Sequence, residues 1–132
     1  MNKGSYYLLS ISAGYNALLG LLTSFLPEEL LLALNVPANP LSILLIQILG
    51  AFFIGFAMIN YLSKRSLIGG IYNKAIIMGN IAYHCIAAMV FIKFVLSDNL
   101  YGEVVILFTA MYLILGAGFL RLNFVMPKAQ KA

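Results

Sequence analysis

The chain has 132 residues, of which 63% are hydrophobic and only 9% charged, with a formal net charge of +4 and a mean hydropathy of +0.99. An ordinary soluble domain is roughly 45–50% apolar and about 25% charged. There are too few charges here to cover a water-facing surface, so a soluble globular domain, a disordered chain and a disulfide scaffold are excluded, and the class that remains is an integral membrane protein.

Charged residues mark the ends of the apolar segments. Lys3 and Glu28 enclose 24 uncharged residues, Glu29 and Lys64 enclose 34, Lys74 and Lys93 enclose 18, and Glu103 and Arg121 enclose 17. A helix needs about 20 residues, with a range of roughly 17–25, to cross a hydrocarbon core about 30 Å thick. Three segments supply one span each. The 34-residue segment is too long for one span and too short for two, and its first part carries Pro37 and Pro40, which disfavour a helix interior. The predicted spans are about 5–26, 41–62, 74–96 and 103–122. The fold class is therefore all-α: four transmembrane helices in one bundle, with residues 1–132 forming a single integral membrane domain.

Span one is too long for the apolar core of a secretory signal, about 7–15 residues, and no small-x-small cleavage site precedes Pro27. It is expected to be a permanent helix. Its Ser5, Ser12, Asn16, Gly20 and Thr23 fall on one stripe by i+3, i+4 and i+7 spacing.

Between spans one and two, Pro27 followed by Glu28 and Glu29 is a helix-start signal. At about 100° per residue, Glu28, Glu29 and Asn35 share one side, with Leu30, Leu31, Ala33 and Leu34 on the other and Leu32 out of pattern. A short helix over about 28–35, lying in the outer interface, is expected. Val36-Pro37-Ala38-Asn39-Pro40 then forms a stiff link into span two.

The polar and small residues of the later spans predict further inward faces. They are Gln47, Gly50, Ala51, Ile54, Met58 and Tyr61 in span two; Asn80, Tyr83, His84, Ala87 and Ala88 in span three; and Thr109, Tyr112 and Gly116 in span four. Polar groups within a bilayer are costly and usually face the bundle interior, where small residues let backbones approach and amides bridge helices. Asn16, His84 and Tyr112 lie at similar depths, and Asn80 is one turn from His84. Together with Tyr83 and Gln47 they are the candidate ligand-binding residues, in a site with apolar walls and a few convergent polar groups. Lys93 lies opposite His84 on the helical wheel, three residues from the end of its span. It is expected to point outward and reach the headgroups, with Asp98 as a candidate partner. Gly116-Ala117-Gly118 and Ala51-x-x-x-Gly55 are small-residue contact motifs.

Much chemistry is excluded by residue type. Cys85 adjoins His84, but neighbouring helical residues point about 100° apart, so the two do not form a nucleophile–base pair. A lone cysteine forms no intrachain disulfide. One histidine and one cysteine supply too few ligands for a zinc site in one chain, and haem ligation by two histidines needs a dimer. No carboxylate lies within a span, which argues against a Ser-His-Asp triad and against a carboxylate-driven drug/proton antiporter. No catalytic residue, metal site or cofactor is assigned. The basic pI reflects topology and not a nucleic-acid surface.

The Gly14-to-Gly20 end of span one, the Pro27-to-Pro37 segment with Leu34-Asn35-Val36-Pro37, Gly50-Ala51-x-x-x-Gly55 and Asn80-x-x-x-His84 together resemble the DoxX-like group of small four-helix bacterial membrane proteins. The resemblance implies a four-helix bundle in the bacterial cytoplasmic (inner) membrane. It hints at association with quinone or redox complexes and transfers no catalytic motif.

The function expected from these features is non-enzymatic: an accessory subunit, or a binder of a lipid or quinone-like molecule. Two alternatives use His84. One is a membrane-embedded redox component or enzyme in which His84 acts with Asn80 and Tyr83. The other is a small dimeric transporter in which His84 carries the proton. The expected partners are the lipid bilayer, a quinone or lipid ligand, and another copy of the chain or a membrane complex. No nucleic acid is among them.

Orientation follows from the charges. With the N-terminus in the cytoplasm, Lys3, Lys64, Arg65, Lys74, Arg121, Lys128 and Lys131 lie inside, while Glu28, Glu29, Asp98, Glu103 and Lys93 lie at the outer side. Seven of the eight basic residues and none of the four acidic ones are then cytoplasmic, as expected where loops are short. The expected topology has both termini inside. A C-terminal reporter active only outside the cytoplasm should be silent, and strong activity would overturn the assignment.

Overall fold

The computed structural model describes residues 3–65, 71–97 and 102–125. These residues form five α-helices: α1 Lys3–Phe25, α2 Pro27–Ala33, α3 Pro40–Ser63, α4 Ile71–Ser97 and α5 Gly102–Val125. All but α2 are long and apolar enough to cross a membrane. Lys128, Lys131 and Asp98, used above for topology and as a partner for Lys93, lie outside the described residues.

Burial departs from that of a soluble protein at both extremes. The largest fully buried side chains are Phe119, His84, Asn16, Asn60, Asn80 and Ser12, and only the first is apolar. Leu18, Leu45, Phe52, Ile86, Met89, Leu107 and Ile114 are among the many large apolar side chains left exposed. Water would penalise such a surface, whereas hydrocarbon would not.

The described residues fall into two compact units. One holds residues 9–64, from α1 through α3; the other holds residues 3–8 with Arg65, α4 and α5.

In the first unit, α2 begins with Pro27 in its first turn, beside Glu28 and Glu29. Proline fits there because its missing N–H would have had no helical acceptor. The helix ends on Asn35, whose φ of 52° places it in the left-handed region. Asn35 N donates to Leu32 O at 3.0 Å, and Val36 N donates to Leu31 O at 2.9 Å. This is a Schellman closure with asparagine in the position glycine usually takes. Leu31 is the buried anchor of the short helix.

Pro40 opens α3 and does not merely precede it. Asn39 is the N-cap: its Oδ1 accepts from Leu41 N at 3.1 Å and Ser42 N at 2.9 Å, while Asn39 N donates to Ser42 Oγ at 3.0 Å. The reciprocal pair is a capping box, which fixes where the long helix starts.

The buried stripe of α1 is the predicted one: Ser5, Ser12, Asn16, Gly20 and Thr23 are all buried. On α3 it is not. The buried residues are Gly50, Phe53, Ala57 and Asn60, whereas Gln47, Ala51, Met58 and Tyr61 are exposed. On a helical wheel the buried face is turned about 90° from the predicted one. Gln47 was the pivot of the prediction, whereas Asn60, near the other end, is the polar residue that the face serves.

The tight point of this unit is a glycine crossing. A Cβ on Gly20 would lie 2.6 Å from Ile54 Cγ1, 3.0 Å from Ile54 N and 3.1 Å from Gly50 O; one on Gly50 would lie 2.7 Å from Thr23 Oγ1 and 2.9 Å from Ser24 N. Backbone atoms are among these neighbours, so rotating a side chain cannot relieve the overlap. The Ala51-x-x-x-Gly55 motif is not this contact, because nothing lies within 4 Å of a Cβ on Gly55.

Gly20→Ala and Gly50→Ala should each destabilise the protein by about 1–3 kcal/mol, the usual cost of overpacking. Gly116→Ala should be neutral or stabilising by up to about 1 kcal/mol, because its Cβ would sit in ordinary contact, 3.5 Å from Cys85 Sγ, and alanine favours the helix. Thermal unfolding of the three variants in detergent checks the ranking. Equal losses would refute the crossing.

Candidate functional site

Two polar centres are built from the residues singled out above. The first lies in the unit of residues 9–64. Asn16 Nδ2 donates to Ser12 O at 2.9 Å and to Ser12 Oγ at 3.3 Å, while Asn60 Nδ2, from α3, donates to the same hydroxyl at 3.0 Å. All three residues are fully buried. One serine oxygen thus receives amides from its own helix and from another. Low dielectric strengthens such bonds and makes their loss costly. Asn60 was missed by the sequence reading. The signal was available, since it is an amide inside an otherwise apolar run, ten residues from Gly50.

The second centre lies between α4 and α5. His84 is the fourteenth residue of the 27-residue α4 and is fully buried. Its ring packs against Tyr83 at 4.5 Å between centroids, Phe119 at 5.4 Å and Tyr112 at 5.8 Å. The Tyr83 and Tyr112 hydroxyls lie 3.1 Å apart, and either can donate. Phe91 stacks on Tyr112 at 5.4 Å and on Phe108 at 6.0 Å, extending the aromatic wall along α5. Gly116 faces Cys85 and the His84 Cβ, leaving room for a methyl group between the two helices at the level of the imidazole. The arrangement is an imidazole and two phenols in an aromatic enclosure. An imidazole and a phenol can each give and take a hydrogen bond.

Three polar side chains elsewhere in the helices are satisfied locally. Asn80 Nδ2 donates to Ile76 O at 2.9 Å, Thr23 Oγ1 to Leu19 O at 2.7 Å and Thr109 Oγ1 to Val105 O at 2.7 Å. Each returns to the carbonyl four residues earlier, which seats a polar side chain in a helix.

Of the six candidate ligand-binding residues, His84, Tyr83 and Tyr112 are brought together. Asn80 is buried one turn from His84, and Asn16 belongs to the Ser12 centre. Gln47 joins neither, being exposed on α3 together with Ala51. It sits about 100° from the middle of the buried face, where Ile43 and Ile46 are half-buried in its place. Lys93 is exposed, as expected. Lys64 holds its ammonium 3.5 Å above the Tyr61 ring, a cation–π contact at the end of α3. Among the described residues no group of three or more His, Cys, Asp or Glu side chains could hold a metal ion, and Cys85 is a free, half-buried thiol.

No family model, curated protein or solved structure matches the chain.

Proposed function

We propose that the chain is a small multi-pass membrane protein without catalytic machinery of its own, which binds a quinone-like or lipid molecule or serves as an accessory subunit. Its four long helices would span a bacterial cytoplasmic membrane as a bundle with both termini inside. The short helix α2 would lie in the outer interface, its two glutamates toward water. The DoxX-like resemblance agrees with this placement.

The observation that carries the binding reading is the His84–Tyr83–Tyr112 group. Its hydroxyls and imidazole are enclosed by Phe91 and Phe119, within helices whose other faces are apolar. A flat ligand with a carbonyl would find aromatic walls for its ring and hydrogen-bond donors for its oxygen. A separate observation favours the subunit reading. Gln47 lies about 10 Å from the start of α3, on an exposed face shared with Ala51 and bordered by the half-buried Gly55. An amide facing hydrocarbon is costly, and small residues beside it would let a second helix approach and bond to it.

The chain has eight tyrosines and no tryptophan, so its intrinsic fluorescence reports tyrosine alone. Decylubiquinone titrated into the purified protein should quench that fluorescence to saturation. His84→Gln, which preserves hydrogen-bonding groups, should keep the fold and weaken binding about tenfold, the effect of losing roughly 1.4 kcal/mol. Unfolding of His84→Gln, or saturable quenching equal to that of the wild type, would leave His84 as a packing residue.

The subunit reading is tested through the α3 face. With Cys85 replaced by serine, Ala51→Cys should give an oxidised homodimer in native membranes, or a crosslinked adduct with a partner. A purely monomeric product under oxidation would remove this face as a contact.

A further inference from the structure

A second feature lies beyond the His84 centre, at the C-terminal end of α5. Gly4 and Leu8, from the first two turns of α1, and Gly118, Arg121, Leu122 and Val125, from the last two turns of α5, line a cavity of about 320 Å³. The volume is at the lower end of ordinary small-molecule sites, roughly 300–1,000 Å³. Its composition is lopsided: two glycines, three aliphatic side chains and one guanidinium. Gly118 makes part of the space. A Cβ on Gly118 would already lie 2.8 Å from Leu8 Cδ1, so a larger residue there would push into the cavity.

Among the described residues the guanidinium has no counter-charge built beside it. The only acidic residue of α5 is Glu103, eighteen positions earlier and about 27 Å away along the helix. No acidic residue occurs in α1 or in α4. The local charge is positive, with Lys3 adjoining Gly4 in sequence. A cation that is always protonated and stands over an apolar slot therefore calls for an anion supplied from outside the protein, with a hydrocarbon part to follow it.

We propose that this cavity is a seat for an anionic glycerophospholipid. Its phosphate meets Arg121, and the start of one acyl chain lies along Leu8, Leu122 and Val125. Arg121 is four residues from the end of α5, a depth from which its side chain can meet a headgroup phosphate while the aliphatic walls remain in hydrocarbon. Guanidinium binds phosphate through paired N–H donors, which gives the seat a preference beyond net charge. Basic pockets between helices at the cytoplasmic side are suited to such headgroups. The inference rests on the membrane placement proposed above but not on the His84 centre.

The test is thermal unfolding of the delipidated protein in a neutral detergent, with three additives: dioleoyl phosphatidylglycerol, dioleoyl phosphatidylcholine, and glycerol 3-phosphate. Phosphatidylglycerol should raise the midpoint saturably by about 5 °C at ten times its dissociation constant. Phosphatidylcholine should do far less, and glycerol 3-phosphate nothing. Arg121→Gln and Gly118→Leu should both abolish the shift. Val125→Phe fills the mouth from an exposed position and serves where Gly118→Leu fails to fold. Equal shifts from the two lipids, or a full shift in Arg121→Gln, would overturn the proposal. A full shift from glycerol 3-phosphate would overturn it in favour of a free-phosphate site. Decylubiquinone quenching, measured on the same samples, separates failure here from failure of the His84 reading.

Discussion

The hydroxyl of Ser12 is the point on which half of the described chain is organised. It accepts from Asn16 on its own helix and from Asn60 on α3, and no water need enter to complete the set. In a soluble protein an amide that loses its partner can turn to solvent. On a helix in hydrocarbon it cannot, so polar side chains must be placed where their partners are. This constraint accounts for the inward face of α1, though not for Gln47, which α3 leaves exposed. It explains why five of the six largest fully buried side chains are polar while leucine and phenylalanine cover the outside.

The same constraint also sets how closely helices approach. Amides bridge only over short distances, and Gly20 and Gly50 remove the side chains that would hold α1 and α3 apart. Glycine is not needed everywhere for this purpose. At Gly116 there is room for a methyl group against Cys85 and His84, so that position reflects a looser contact. Small residues in membrane helices therefore mark a contact only when the geometry around them is tight. Ala51 and Gly55, though spaced as a contact motif, face open space in the isolated chain.

Much of the fold was legible because charges and prolines punctuate a chain that is otherwise apolar. Every predicted span begins and ends within about three residues of its helix, and the α1 stripe was read correctly because its polar residues repeat at helical spacing. The face of α3 was not, since it was drawn through Gln47 and left Asn60 out. Hydropathy alone cannot orient a helix that is apolar all round. The capping box of Asn39 and Ser42 was missed, the segment reading only as a stiff link, and Asn35 was placed on the polar side of the short helix and not at its closure. Within the candidate site, His84 and Tyr112 were recognisable as polar groups at similar depth. The 3.1 Å approach of Tyr83 to Tyr112 was not, because it depends on the rotation of α4 against α5.

The two polar centres differ in a way that bears on their roles. The Ser12 centre is made of groups whose chemistry is confined to hydrogen bonding, and its donors are directed at a serine and at a backbone carbonyl. Such a set fixes the geometry of its helices. The His84 centre replaces amides with an imidazole and two phenols, which are larger, flatter and able both to give and to take a proton. Packing alone would be served at these positions by phenylalanine, as it is at Phe91, Phe108 and Phe119 in the same cluster. Three neighbouring positions instead carry heteroatoms within an aromatic enclosure, where each polar atom adds a desolvation cost that plain hydrocarbon rings would avoid. That contrast within one cluster is the physical argument for testing the proposed binding at His84, and for treating the Ser12 centre as the framework that positions its own helices.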